Sequence, residues 1–440
     1  MLLAASSGLS CLAASVSTGS GTEAIQAEAD RQSGLNTILV VNAAGTAEIT
    51  YSGSSPNQKW YRYSNLGGGY AEEIDGVVYE GSTSTLPAAE LDMGYIVEDG
   101  DSRYYFWLVG YRNYPFSVAS VSVSDESDCD RTVLLTEGTG AEIHYYGING
   151  RRFTLDREIT VEYYNLEWND EKSEWQQTET VKTIPALTSQ IPVVPPVYCA
   201  TTFTVSGDRF SEQWGTSSSA TSGNYQPKAV DFRTSATQEE KAETEEGSNE
   251  INGGGDGLGG SAPADIHFEA YITDAVIHQE WQISSDPTFD DITYRLSGQE
   301  LDFTFREEGH FYVRFFGSNA DGSCETYGET YTVDIGASEL KCPNAFSPGA
   351  SEGVNDEWKV SYRSLVEFEC WIFDRYGTQM YHFKDPAGGW DGRYKGKLVA
   401  PGVYYYVIKA KGADGKNYKR SGDINILRFK GRKGNQGSTE

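Results

Sequence analysis

Catalytic and metal-binding chemistry has little to work with in this sequence. Its 440 residues include five histidines and six cysteines. The histidines (His144, His267, His278, His310 and His382) are scattered along the chain. No Cys-x-x-Cys pair or Cys/His cluster has zinc spacing, so no metal site is expected. No Gly-x-Ser-x-Gly elbow is present. Adjacent acids such as Asp290-Asp291 and Glu307-Glu308 fit exposed turns better than a catalytic pair fixed across a cleft. No cofactor is expected, and the chain does not read as an enzyme; a hydrolase in the N-terminal half is the remaining alternative. No segment beyond the N-terminus approaches the ~20 apolar residues of a membrane helix.

Positive charge is the next shortage. Against 64 Asp/Glu stand 35 Lys/Arg, giving −29 at pH 7. The deficit is uneven: from Lys341 onward there are 17 basic and 11 acidic residues, a balance of +6 that leaves −35 for the rest. An acidic body excludes non-specific nucleic-acid binding, which needs a basic footprint. It also opposes unaided adhesion to anionic lipid.

What the chain has in quantity is Gly (48) and Tyr (29), with aromatics at 13%. This favours strands and turns over helices. The length implies several domains. The predicted fold is all-β: tandem immunoglobulin-like β-sandwiches followed by two further sandwiches. Residues 1–35 are read as a signal peptide and polar leader. MLLAASSGLSCLAAS has the apolar, small-residue character of a signal h-region but lacks a basic n-region, and Gly8-Leu9-Ser10-Cys11 is a poor lipobox. Export is expected.

Residues 36–124 show short strand patterns separated by turns, as in an immunoglobulin-like sandwich. Residues 125–233 read as a second sandwich. TILVVNAAGTAEITYSG from Thr37 is echoed by TVLLTEGTGAEIHYYG from Thr132, with Glu48 aligned to Glu142, which suggests a duplication. Trp60-Tyr61-Arg62-Tyr63 and Tyr104-Tyr105-Phe106-Trp107 alternate, so half of each set points inward and core packing accounts for most of these rings. A glycan-stacking surface built on Trp60 and Trp107 is the alternative. Residues 234–262 are rich in carboxylates and then glycine, and read as an acidic, flexible linker. GGGDGLGG lacks the flanking strand and Lys-Ser/Thr of a phosphate loop, and the tandem repeats of a calcium roll.

Residues 263–338 carry EWQISSDPTF and GHFYVRFFGSNADGSCETYGETYTVDI. These resemble the polycystic-kidney-disease (PKD) type of immunoglobulin-like domain, with Trp281 as the core tryptophan. Residues 339–431 are the most specific stretch, and 432–440 a basic tail. Pro343, Asn344, Phe346, Asn355, Asp356, Arg375, Gly377, Trp390, Asp391, Gly392, Pro401, Gly402 and Tyr404 fall in the order of the gliding-motility-associated C-terminal domain. This is the type B sorting domain of type IX secretion. The resemblance implies a protein secreted or held at the outer-membrane surface via the periplasm. Its partner would be the outer-membrane type IX translocon, which reads the folded domain by a β-edge or its loops. A glycan or a surface protein is the candidate ligand of the N-terminal modules. The loop Pro348–Gly353 departs from the family's acidic pattern, and no calcium is expected there.

The residues agree with that resemblance. Val366, Phe368, Cys370 and Ile372 alternate onto one face. The strand from Val403 to Ile408 is apolar on both faces and is expected at the sheet centre. Asp414-Gly415 signals a two-residue hairpin. Two disulfides are expected, Cys342–Cys370 and Cys129–Cys199, leaving Cys324 free. Small buried thiols are the alternative.

Overall fold

The computed structural model describes residues 15–19, 24–238, 249–251, 257–350 and 355–427. The signal-peptide segment with Cys11, the acidic and glycine runs at 239–248 and 252–256, most of the loop after Pro348, and the basic tail lie outside them. The chain forms two compact units, Met1–Trp168 with Gln176–Ala229, and Asn169–Trp175 with Val230–Glu440.

The first unit holds two sandwiches. In the first, a four-stranded sheet of Ser15–Thr18, Thr46–Ser52, Thr83–Glu90 and Val78–Glu80 faces a six-stranded sheet. That sheet runs Ala24–Ala27, Thr37–Val41, Ser102–Gly110, Met93–Asp99, Gln58–Tyr63 and Glu72–Glu73. Ser15–Thr18 and Ala24–Ala27 correct the expectation that residues up to 35 are only a signal peptide and polar leader. Ser15–Thr18 pairs with Thr46–Ser52, and Ala24–Ala27 with Thr37–Val41. Polar edge strands resemble loops in composition because only one of their faces is buried.

All five residues of Thr37–Val41 are buried. Leu39 and Val41 face the sandwich core with Trp60 and Phe106. Ile38 and Val40 face the other way, with Tyr63 and Trp107, and meet Ile143, Tyr145, Leu155 and Phe210 from the second sandwich. A strand apolar throughout needs cover on both faces, and the second sandwich supplies it. The echo from Thr132 therefore does not reproduce the environment of its counterpart. Ile143–Tyr146 forms a separate hairpin with Arg152–Leu155 instead of joining a sandwich sheet as Thr46–Ser52 does.

The second sandwich stacks Ser117–Val123, Thr132–Thr139 and Gln190–Val193 on Glu174–Ile184, Ile159–Asn169, Thr204–Gly207 and Ser218–Thr221. Where it joins the first sandwich, Arg157 Nε donates to Asp208 Oδ2 at 2.6 Å, both side chains fully buried. Arg157 also donates to Ala141 O and Tyr114 O, each at 2.8 Å. Tyr111 Oη and Ser211 N donate to Asp208 Oδ1, each at 2.9 Å. Burial and the facing Asp208 carboxylate push the Tyr111 hydroxyl up to about 12.

The second unit holds the remaining sandwiches. In the third, Phe232–Gln238, Ala264–Ile272 and Glu300–Phe305 form one sheet. Leu258–Gly260, Tyr331–Ile335, Gly309–Ser318, His278–Ser284 and Ile292–Ser297 form the other, with Glu325–Tyr327 beside Gly309–Ser318. Trp281 is fully buried at its centre, and its Nε1 donates to Gln299 O at 3.1 Å. The linker expectation is corrected at both ends. Phe232–Gln238 pairs along its length with Ala264–Ile272, and Leu258–Gly260 runs parallel to Tyr331–Ile335. Composition reported the acidic middle and hid two strands at its margins.

The expected disulfides are also corrected. Neither expected pair forms: Cys342 and Cys370 are free thiols, Cys199 keeps its thiol and donates to Tyr164 O, and Cys324, expected free, is disulfide-bonded. Cys370 sits in the terminal core with Cys342 packed against it, and burial pushes both thiols up.

Two predictions follow from the first unit. Arg157→Met or Asp208→Asn leaves the partner charge buried without its counter-ion, so each is expected to destabilise by about 3–5 kcal/mol, read as a shifted urea midpoint. The second concerns Asp99. Burial would raise its carboxyl, but hydrogen bonds from Ser54 N, Ser55 N, Tyr51 Oη and Ser54 Oγ outweigh that and hold it below the usual range. Its contribution is therefore present above the unfolded carboxylate pKa and lost as pH falls through the depressed folded value. Asp99→Asn should flatten that acid limb of the stability–pH profile.

Candidate functional site

The terminal sandwich is built around one five-stranded sheet drawn wholly from its own residues. The order is Ala345–Phe346, Asn417–Ile426, Gly402–Gly412, Leu365–Phe373 and Gln379–Phe383. Gly402–Gly412 is central, as its sequence requires. Gly412–Gly415 and Lys416 close the hairpin at Asp414-Gly415, with Gly415 at φ +73°. Phe368, Cys370 and Ile372 face the core, while Val366 packs against the third sandwich.

The motif residues come together here, mostly as architecture. Trp358 and Trp390 are cross-strand partners and fully buried. Trp358 Nε1 donates to Pro343 O at 2.7 Å, and Trp390 Nε1 to Arg393 O at 3.0 Å. The Trp390 ring lies 5.7 Å from Phe346 and 5.3 Å from Tyr404. Asn344 O accepts from Asn425 N at 2.8 Å, which sets the parallel first strand. Asn355 O accepts from Ser347 N at 2.9 Å, and Asp356 Oδ1 from Gly349 N at 2.6 Å. Asp391 Oδ1 accepts from Arg393 N at 2.9 Å. Gly392 has φ +72°, and a Cβ there would sit 3.1 Å from Pro348 Cγ and 3.2 Å from Phe346 Cζ, so this turn requires glycine.

Tyr404 Oη donates to Ala400 O at 3.0 Å, just across Pro401 and Gly402. Arg375 and Gly377 stand exposed at the turn after Leu365–Phe373, the guanidinium 4.8 Å from the Tyr376 ring. The exposed members thus cluster in turns, and the buried ones hold the sandwich together.

A short segment from the expected linker completes the domain. Asn249 Nδ2 donates to Val360 O and Pro386 O at 2.7 and 2.8 Å, and Ile251 N to Tyr362 O at 2.6 Å. The junction with the third sandwich centres on buried Ser364. Its N–H donates to Ser261 Oγ at 2.8 Å, its hydroxyl donates to Gly336 O at 2.6 Å, and its carbonyl accepts from Ala413 N at 2.9 Å. Neither feature was visible in the sequence, because each depends on a polar residue meeting backbone far along the chain.

The stacking alternative is corrected. Trp60 is 0% exposed, with Nε1 donating to Ser84 Oγ at 2.8 Å among Tyr51, Tyr95 and Phe106. Trp107 is 2% exposed, between Tyr63 and Tyr146. Both serve cores, on opposite faces of one sheet. The histidines pair locally with acids: His267 with Asp302, His310 with Asp334, His382 with Glu369 and His144 with Glu142. His278 Nε2 lies 3.2 Å from Ala320 O. Among the described residues no three His, Cys, Asp or Glu are grouped to hold a metal. No described helix is long and apolar enough to cross a membrane.

Two family models match parts of the chain. Residues 340–426 match the CHU_C type IX secretion signal domain, and residues 120–222 match a fibronectin type III domain. The first match implies export by the type IX system, interaction with its machinery, and a secreted or surface location. No curated protein matches the chain. Among solved structures, three N-terminal domains of the bacteriophage RB49 Highly Immunogenic Outer Capsid protein align at 12% identity, covering 72% of this chain and 100% of that one, with a TM-score of 0.23. The chicken CNTN1 FN1–FN3 domains align at 10% identity, covering 70% and 98%, with a TM-score of 0.24.

Because Trp390 fills the terminal core, Trp390→Ala is expected to destabilise that sandwich by about 3–5 kcal/mol. The change should appear as hydrogen-exchange deprotection across 345–426, with the first unit unaffected.

Proposed function

We propose that this chain is a non-enzymatic exported protein whose N-terminal sandwiches are adhesive or structural, and whose terminal sandwich is the address read by the outer-membrane translocon. The observation that carries this reading is the self-contained five-stranded terminal sheet, with its motif tryptophans inside and its motif turns outside. An address read as a folded object needs a fixed surface, and buried indoles with paired N–H groups fix one. Exposed turns such as Arg375–Gly377 then supply the features a receptor can touch.

The non-enzymatic part rests on the described histidines, four of which sit in exposed local pairs with carboxylates. The adjacent acids Asp290-Asp291 and Glu307-Glu308 lie exposed in turns, which favours solvation over catalysis. The PKD-like assignment of the third sandwich is supported by buried Trp281 and by the final strand Tyr331–Ile335, which ends the sandwich with Tyr-x-Val. A glycan or surface protein remains the proposed ligand class for the first unit, on a surface other than Trp60 and Trp107.

Deleting residues 339–440 tests the address. Cell fractionation is expected to find the truncated protein held in the periplasm. Arrival outside the cell at the normal level would refute the sorting role, provided protease resistance shows that the third sandwich is still folded.

A further inference from the structure

The central terminal strand is apolar on both faces, yet only one face is covered. Tyr404 and Ile408 enter the core, whereas Val403, Tyr405 and Val407 are 43, 46 and 38% exposed. Their neighbours across the sheet build a graded surface. Phe373 lies opposite Tyr405, and Trp371 opposite Val407 on one side and His382 on the other. The Trp371 and His382 rings stack with centroids 5.3 Å apart and planes 12° from parallel.

One rung further along, Lys409 lies between Lys419 on one neighbouring strand and Glu369 on the other, and Lys411 between Asn417 and Glu367. Like charges facing each other across a ladder are destabilising unless an anion comes between them. Lys409 Nζ also sits 5.5 Å from the Trp371 ring centre, so cation and platform are adjacent. An open basin of ≈380 Å³ lies on this face, lined by Lys384, Lys409, Lys411 and Lys419 together with Glu367 and Glu369. Glu369 Oε1 is taken by His382 Nε2 at 2.9 Å and Lys384 Nζ at 3.5 Å. Lys409, Lys411 and Lys419 form no ion pair among the described residues.

We infer that this face of the terminal sandwich binds an anionic polysaccharide, with sugar rings stacked along Trp371–His382 and Tyr405 and carboxylates set between Lys409 and Lys419. The choice of occupant follows from the side chains. Protein interfaces are enriched in Arg and depleted in Lys and Glu, the reverse of this basin. Lysine is a hydrated, rotatable point charge that accepts anions of varied geometry, as an irregularly substituted polymer presents them. Rings beside lysines would also suit single-stranded nucleic acid. The strongly acidic remainder of the chain opposes a densely charged phosphate backbone more than a polymer charged once per sugar.

The test uses the full chain at low salt in isothermal titration, with polygalacturonate, dextran, polyglutamate and a single-stranded oligonucleotide as probes. Polygalacturonate is expected to bind and dextran not to. Binding should weaken about tenfold or more in Lys409→Gln/Lys419→Gln and again in Trp371→Ala, and should fade as salt screens the lysines. Lys409 and Lys419 are surface residues, and the variant removes the repulsion between them together with the opposition of Lys409 to Glu369, so its folding should be intact, checked by circular dichroism, even where Trp371→Ala loosens the sheet. Failure of polygalacturonate to bind, or binding unmoved by the lysine variant, overturns the inference. Equal or tighter binding of polyglutamate would assign the face to an acidic protein instead, and of the oligonucleotide to nucleic acid. Loss of export in the lysine variant would assign it to the secretion machinery.

Discussion

Four fully buried indoles each place their N–H on a polar partner, and three of the four sandwiches are tied together by those bonds; Trp107, buried between the two sandwiches of the first unit, is the exception, its N–H having no partner among the described residues. Trp60 donates to Ser84, Trp281 to Gln299, Trp358 to Pro343 and Trp390 to Arg393. Each bond ties a core ring to another strand or turn, so packing and register are set together. The second sandwich has no such tryptophan. Its fixed point is the Arg157–Asp208 pair, which gathers backbone carbonyls from Tyr114 and Ala141 and the hydroxyl of Tyr111. Such a pair contributes little net stability over an apolar equivalent, but it tolerates only one arrangement of its neighbours. It lies where the two sandwiches of the first unit meet.

The parts of this fold that were legible in sequence are those fixed by nearby residues. Asp414-Gly415 marks its hairpin, although the loop is longer than the two residues expected because Gly412 pairs with Lys416. Phe368, Cys370 and Ile372 alternate into one core, and Trp281 fills another. The order of the terminal motif was legible where a member serves its own turn, as Asp391 and Gly392 do, whereas Asn344 and Trp390 meet partners far along the chain. What sequence hid depends on a distant partner. Ala24–Ala27 is a strand because Thr37–Val41 lies alongside, and nothing within four residues says so. Trp107 is buried because the second sandwich covers a sheet face that an isolated sandwich would leave wet. The cysteine pairing failed for the same reason, since sequence proximity favoured partners that the fold does not use.

Charge divides the chain more sharply than topology does. The acidic N-terminal three-quarters and the basic terminal sandwich share one architecture, so the difference lies in what faces solvent. Net negative charge keeps a long exported chain soluble and discourages self-association. The terminal sheet departs from that policy on one face only, where lysines and rings stand together without cover.

Ser364 gives the end of the chain a mechanical character. Its amide and hydroxyl both bond across to the third sandwich, at Ser261 and Gly336, while its carbonyl holds Ala413 of its own domain. Those two bonds and the packing of Val366 and Ala413 on the third sandwich make the terminal sandwich share a boundary with its neighbour, so a pull on the one is felt first at Ser364.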